Sequence, residues 1–238
     1  NGYNNYDAPI FFPNQVGGYM PAEAGSPGTS RDGVNPNAIF VALSKGYVVA
    51  SPGARGRVTK NANGLYTAKA PAAIVDLKAA VRYLHYNDKV MPGSANRIVS
   101  NGTSAGGALS SLLGASGNNK DYDKYLKEIG AANASDAVLV VSAYCPITNL
   151  ENADMAYEWL FNGINEYKSL KITQSTDFKV ERTYVTGSMT EDQIKASNEL
   201  KAMFPKYLNS LKLKDKKGNV LSLDSDGNGN FKDFVKSY

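Results

Sequence analysis

One short segment, Gly102-Thr103-Ser104-Ala105-Gly106-Gly107, constrains the fold of this chain more than any other. The apolar run Arg97-Ile98-Val99-Ser100 precedes it, and the small and apolar residues 108–113 follow it. This order predicts a strand, a sharp turn and a helix, the setting in which Gly-x-Ser-x-Gly acts as a nucleophile elbow. The flanking glycines let the backbone turn tightly. We therefore expect Ser104 at the start of a helix whose N–H groups can stabilise an oxyanion.

A serine nucleophile needs a general base, and the chain contains one histidine, His85, which precedes Ser104. Hydrolases built on this elbow carry their triad in the order Ser, acid, His. Two hypotheses remain open: the base is supplied by missing or separate polypeptide, or the chain is a noncatalytic binding module. His85 ends a predicted helix, where a polar or cationic ring is favourable. We therefore expect a structural role for it.

The overall composition excludes several classes of partner. A net charge of +4 is too small to predict binding to nucleic acid or to a membrane surface. No stretch approaches the length of a spanning apolar helix. The single Cys145 excludes an internal disulfide and does not identify the compartment, so cytoplasmic and secreted locations both stay open. We expect no cofactor.

Strand and helix patterns alternate through the first 150 residues. We predict helices at 36–44 and 68–87 and strands at 9–12, 47–50, 97–101 and 137–143. The second and fourth of these strands are continuously apolar, so we expect them to be buried. Strands of this kind separated by helices predict an α/β domain with a mostly parallel sheet covered by helices.

The composition changes near residue 151, and we predict a lid or cap inserted over residues 151–238 after a core formed by 1–150. Within it, 191–211 has the pattern of a helix that begins with a capping box and that Pro205 should bend or split. Its expected apolar face consists of Phe204, Tyr207, Leu208 and Leu211. A hairpin is expected at 211–223.

Several blocks together resemble the bacterial tannase family (tannin acyl hydrolases), which is related to the feruloyl esterases within the α/β-hydrolase fold. The resemblance covers nearly the whole chain and is strongest at residues 102–110. The other blocks are Ala8–Asn14 leading to Val16–Met20, Lys45–Arg57, Ala143–Leu150 and Asp154–Trp159.

The resemblance implies a serine esterase that hydrolyses galloyl esters, or other phenolic acid esters such as feruloyl esters, through an acyl-enzyme on Ser104. Its oxyanion hole would use the backbone N–H groups of Ala105 and Gly18, the latter in the glycine loop after the first strand. The family's late Asp and His find no match here. The chain therefore resembles an internal fragment that begins at the third strand of the usual sheet.

The sequence gives weaker reasons to assign a function to four other residues. Cys145 follows an apolar strand, and we expect a buried, inert thiol. Asp154 lies downstream of Ser104 and is a minor candidate for the triad acid, but we expect it to organise a loop. Arg55 and Arg57 are expected to bind carboxylates or carbonyls that fix their loop, instead of binding substrate.

The segment Asp224-Ser225-Asp226-Gly227-Asn228 has the spacing that begins a calcium-binding loop. A complete loop needs a bidentate Glu at its twelfth position, which here is Val235. Asp224, Asp226 and Asn228 are therefore only a weak candidate metal site, and an Asx/Gly turn is the favoured interpretation.

Overall fold

The computed structural model describes residues 2–30, 33–174 and 180–237. The chain divides into two compact units, Asn1–Thr148 and Asn149–Tyr238, and each unit contains its own apolar cluster. Among the described residues, no helix is both long and apolar enough to cross a membrane.

The first unit alternates strands and helices, as the sequence predicts. Its elements are β1 (Pro9–Pro13), α1 (Ala38–Ser44), β2 (Val48–Val49), α2 (Ala72–Tyr86), β3 (Ser94–Thr103), α3 (Ala105–Ala115), α4 (Asp123–Glu128) and β4 (Val140–Tyr144). Helix α1 begins two residues later than predicted, because the side chain of Asn37 accepts the N–H of Phe40 and caps the helix there.

The four strands form one parallel sheet in the order β2-β1-β3-β4. The chain leaves β1 toward β2 on one side and then crosses back to β3 on the other side. Right-handed crossovers place α1 on one face of such a sheet and α2 and α3 on the other. The strand order reverses between β1 and β3, and open parallel sheets bind ligands at the carboxyl ends of the strands at such a switch point.

The prediction that strand 137–143 is fully buried is wrong. The strand starts at Val140, and Val140 and Val141 are 46% and 36% exposed. A continuously apolar strand is typical of one covered on both faces, but among the described residues β4 pairs with β3 alone and lies at the edge of this sheet. Cys145 follows it and is also exposed, contrary to expectation. At the opposite edge β2 is only half-buried.

The core of the first unit lies between the central strands and helices α2 and α3. Phe12 of β1 and Ile98 of β3 have no exposed surface, and neither does Leu113 of α3. Helix α2 contributes the predicted apolar stripe, whose members are all buried: Ile74, Leu77, Val81 and Leu84. Burying each such side chain stabilises the fold by about 1.5–3 kcal/mol.

A buried ionic network fastens α2 to the segments that flank α4. Lys78 Nζ lies 2.9 Å from Asp136 Oδ1, and neither side chain is exposed. Lys78 also donates to the Ser116 carbonyl, and Arg82 Nε and the Asn118 N–H donate to the Asp136 carboxylate. Burial alone would raise the pKa of Asp136, but these hydrogen bonds outweigh it and hold that pKa below its ordinary value.

The second unit contains α5 (Leu150–Phe161), an antiparallel pair β5 (Glu166–Gln174) and β6 (Val180–Ser188), α6 (Glu191–Ser210) and α7 (Asn230–Lys236). Helix α5 packs against α6. The apolar cluster of this unit centres on Phe204, Leu208 and Leu223, with the rings of Trp159 and Phe231 against it.

Helix α6 confirms most of the pattern seen in the sequence. Thr190 and Gln193 form the predicted capping box. The helix continues through Pro205, so it is not split, and Leu211 is 45% exposed, so it does not belong to the buried face. The hairpin expected at 211–223 is reduced to a single bridge, Lys214 to Val220. The antiparallel pair β5–β6 has no counterpart among the elements that the sequence predicts.

Replacing the buried carboxylate, Asp136→Asn, should lower the free energy of unfolding by about 3–5 kcal/mol, since Lys78 is then left charged and buried without its partner. The matched control is Asp123→Asn, which removes the exposed partner of Arg82 and should cost less than about 1 kcal/mol. Urea denaturation at neutral pH measures both. Equal effects of the two substitutions would contradict the importance of the buried pair.

The same carboxylate should make stability depend on pH. Because its pKa is lower in the folded protein than in the unfolded chain, its stabilisation is complete above the unfolded value of about 3.9 and is lost as pH falls through the folded value. Denaturation series from about pH 6, above the unfolded value, down to about pH 2, below it, should show a smaller acid-induced loss of stability for Asp136→Asn than for wild type.

Candidate active site

Ser104 occupies the strand-to-helix corner that its motif predicts. It lies directly between β3 and α3, with φ 58° and ψ −121°, a conformation that non-glycine residues rarely adopt. Its N–H donates to the Tyr144 carbonyl at 2.9 Å, which ties the corner to the end of β4. Its side chain does not cap α3, so the hydroxyl is left available for other partners.

The glycines of the motif are required by contact between backbones. A Cβ at Gly102 would overlap the Gly106 carbonyl, and one at Gly106 would lie 2.8 Å from the Val16 carbonyl oxygen. At Gly107 it would lie 2.7 Å from the Tyr144 carbonyl oxygen. Helix α3 therefore begins in close contact with β3, with β4 and with the loop after β1. We call residues 102–107 the elbow.

The proposed oxyanion donors lie at the switch point of the sheet. Ala105 is fully buried and is the first residue of α3. The first hydrogen bond of this helix runs from the Ala108 N–H to the Ser104 carbonyl. Gly18 lies in the segment 14–18, here called the oxyanion loop, which follows β1. It has φ +57° and open space beside it. Since β1 and β3 are parallel neighbours, both donors follow strand ends at the same edge.

The loop that contains Arg55 and Arg57, here called the outer loop, supports the chain directly after the oxyanion loop. Arg55 pairs with Asp76 of α2 through its guanidinium at 2.7 Å and through its backbone N–H at 2.8 Å. The hydrogen bonds that the guanidinium donates to the Asp76 carboxylate raise the pKa of Arg55. The neighbouring Arg57 N–H donates to the Tyr19 carbonyl at 2.8 Å. Arg55 thus fixes its loop as expected, whereas Arg57 does so through its backbone.

Sequence reasoning missed Asn14, the first residue of the oxyanion loop. Its side chain is 6% exposed and hydrogen-bonds to the elbow and to its own loop. The available signal is a polar amide directly after an apolar strand, three residues before the Gly17-Gly18 pair.

His85 lies at the wrong end of the sheet to act on Ser104. Its Nε2 is 3.0 Å from the Ala137 carbonyl oxygen, before the amino end of β4, whereas Ser104 bonds to Tyr144 at the carboxyl end. The five residues of β4 alone separate these ends by about 13 Å. This position agrees with a structural role.

The structure places the other two candidate groups, Asp154 and Cys145, in surroundings that differ from those expected. Asp154 is an exposed residue within helix α5 of the second unit, so it does not organise a loop as expected. Cys145 lies just beyond β4 with φ +43°. Neither the described residues of the first unit nor those of the second contain a cluster of three or more His, Cys, Asp or Glu side chains that could hold a metal.

The segment 224–228 forms a tight turn closed by its own atoms. Asp224 Oδ1 accepts the N–H groups of Asp226 and Asn228 at 3.0 and 2.9 Å, and Lys232 donates to Asn228 Oδ1. Trp159 Nε1 donates to the Gly227 carbonyl and packs against that glycine. These are the contacts of an Asx turn, and they engage oxygens of Asp224 and Asn228 that would have to face a cation.

A family model described as BD-FAE matches residues 25–190, which include Ser104 and all of β3 and α3. The chain belongs to the BD-FAE family. Comparison with curated protein sequences gives no match.

Solved tannase structures resemble this BD-FAE chain over almost its whole length. The Fusobacterium nucleatum tannase is 61% identical, with a TM-score of 0.83, and the match covers 98% of this chain and 50% of that one. A Lactobacillus plantarum tannase is 47% identical, with a TM-score of 0.81 and coverages of 99% and 51%. A tannin acyl hydrolase in complex with ethyl gallate is 48% identical, with a TM-score of 0.78 and coverages of 99% and 49%.

These comparisons establish a tannase-like α/β-hydrolase fold, as the sequence motifs predict. The chain spans about half the length of the solved tannases that it matches.

Adding one methyl group at the elbow, Gly106→Ala, should lower the free energy of unfolding by about 1–3 kcal/mol, because two polar oxygens already occupy the space of a Cβ. The control Gly17→Ala, in the oxyanion loop, has no atom within 4 Å of the new Cβ. It should change stability by less than about 0.5 kcal/mol. Chemical denaturation of both variants tests the packing, and a neutral Gly106→Ala would contradict it.

Proposed function

We propose that this chain carries the nucleophile and the oxyanion hole of a serine esterase that hydrolyses galloyl esters. The observation that supports this most strongly is the strained backbone of Ser104 at the β1–β3 switch point, beside the oxyanion loop. Strained conformations persist where surrounding structure enforces them, and they concentrate at active sites. The tight glycine contacts of the elbow provide that enforcement.

The proposed reaction is an acyl transfer in two stages. A general base takes the proton from Ser104 Oγ, which attacks the ester carbonyl, and the Ala105 and Gly18 N–H groups bind the resulting oxyanion. Collapse of this intermediate releases the alcohol, to which the base returns the proton, and leaves an acyl-serine. Water, activated by the same base, then releases the acid and restores the serine.

The base and the acid of this mechanism are proposed to come from polypeptide outside these 238 residues. The sequence holds one histidine, and His85 is bonded near the amino end of β4. The matching tannases are about twice as long as this chain, which leaves room in such proteins for both groups.

Galloyl esters are proposed as the substrates because two similar solved structures are complexes with a galloyl ester or a related phenolic acid. One is a tannin acyl hydrolase in complex with ethyl gallate, and another is in complex with 3,4-dihydroxybenzoate. Feruloyl and other phenolic acid esters are the alternative within the same chemistry. A noncatalytic binding module is the alternative in another class, and the remote position of His85 is what favours it.

A fluorophosphonate probe should label the full-length protein at Ser104, since this reagent requires an activated hydroxyl. Ser104→Ala should abolish labelling. The control is Ser100→Ala, which removes a serine hydroxyl of β3, the strand that leads to Ser104; this hydroxyl is fully buried and has no hydrogen-bond partner among the described residues. His85→Gln should label at nearly the wild-type rate. A folded but unreactive wild-type protein would favour the binding module.

Methyl gallate and methyl ferulate distinguish the two acyl groups. We expect the full-length protein to show the higher kcat/KM on methyl gallate, measured by release of the free acid. Faster turnover of methyl ferulate would refute the galloyl preference while leaving the serine esterase intact.

A further inference from the structure

We infer that Asn14 is a positioning residue that holds the Gly18 N–H in register with the nucleophile elbow. This inference rests on the proposed function, and it assigns a role to a side chain that lies outside the expected catalytic set. Asn14 is 6% exposed at the start of the oxyanion loop.

The Asn14 amide joins three parts of the fold through one side chain. Three acceptors lie within hydrogen-bond distance of Nδ2 and share its two hydrogens: the Gly106 carbonyl at 3.0 Å, Ser110 Oγ at 3.0 Å and the Asn101 carbonyl at 3.2 Å. Oδ1 accepts the N–H of Val16 at 3.3 Å. The end of β3, the first turn of α3 and the oxyanion loop are therefore connected at this point.

The elbow is shaped to receive this amide. A Cβ at Gly106 would lie 2.6 Å from Asn14 Oδ1 and 2.8 Å from the Val16 carbonyl oxygen. The absence of that Cβ allows both groups to approach the first turn of α3. Aspartate could not replace the amide, because an ionised carboxylate has no hydrogen to donate to the three acceptor oxygens.

The two oxyanion donors depend on this connection to different degrees. The Ala105 N–H moves with Ser104, because the two residues are adjacent at the start of α3. The Gly18 N–H belongs to a separate loop, and Gly17 and Gly18 are exposed. Its position relative to Ser104 is fixed from the loop side by Asn14 and by the buried Val16. Loss of the Asn14 amide should therefore misplace one donor and leave the other in place.

A misplaced oxyanion donor weakens transition-state binding more than substrate binding. Removing such a donor entirely lowers kcat by about 10²–10³-fold. We expect a smaller effect of about 10- to 100-fold on kcat for Asn14→Ala and a weaker one for Asn14→Ser, with KM changed less than about threefold. The Arg57 N–H still holds the Tyr19 carbonyl in these variants, so the loop should remain folded.

The test uses the full-length protein with methyl gallate, the fluorophosphonate probe and gallate as a product inhibitor. Asn14→Ala and Asn14→Ser are compared with Asn37→Ala. Asn37 makes the same kind of amide clamp, to the Ser26 carbonyl and the Phe40 N–H, without contacting the elbow or the oxyanion loop. We expect slower turnover and phosphonylation in both Asn14 variants, unchanged inhibition by gallate, and faster amide hydrogen exchange at residues 16–18. Asn37→Ala should show none of these changes.

Three outcomes would overturn the inference. Folded Asn14→Ser with wild-type kcat and wild-type exchange at residues 16–18 would remove the positioning role alone. Loss of gallate inhibition in parallel with kcat would assign Asn14 to general site integrity. A wild-type protein that neither hydrolyses methyl gallate nor reacts with the probe would refute the proposed function, and the positioning role with it.

Discussion

The close approach of backbones at the elbow is the constraint on which the rest of the candidate site depends. Helix α3 can begin directly against β3 and the oxyanion loop only because Gly102 and Gly106 lack side chains. That approach places Ser104 in its strained conformation and brings the first N–H of α3 beside the serine. The strain of about 1–3 kcal/mol expected for such a residue must be balanced by packing around it. The fully buried Ala105 and Leu113 of α3 are part of that packing.

The topology of the sheet explains why these groups meet at one place. Because β1 and β3 are parallel neighbours on either side of the switch point, the oxyanion loop and the elbow leave the sheet at the same edge. Two different helices hold the loops around this site in place. Arg55 binds the outer loop to α2, and Asn14 binds the oxyanion loop to α3. The Lys78–Asp136 pair takes no part in the proposed chemistry at this edge. It contributes to the stability of α2, which is also the helix that holds Arg55.

The features that local patterns encode could be predicted from the sequence. The elbow, the apolar stripe of α2 and the capping box of α6 each depend on residues within a few positions of one another. The errors concern properties that depend on distant partners. Val140 and Cys145 have the pattern of buried residues but are exposed in the described structure, in which Val140 belongs to an edge strand. The role of Asn14 likewise depends on contacts with residues about 90 positions away, and no local spacing reveals them.

The contrast between His85 and Asn14 shows how position within the fold, and not residue type, identifies participants in a reaction. Histidine is the usual general base of a serine nucleophile, yet the histidine present here is hydrogen-bonded at the opposite end of the sheet. Asparagine carries no charge to transfer, but this one bridges the two segments that supply the oxyanion donors. Because catalysis by such donors depends on their preorganised geometry, a neutral amide at that bridge has more influence on the proposed reaction than an ionisable ring outside it.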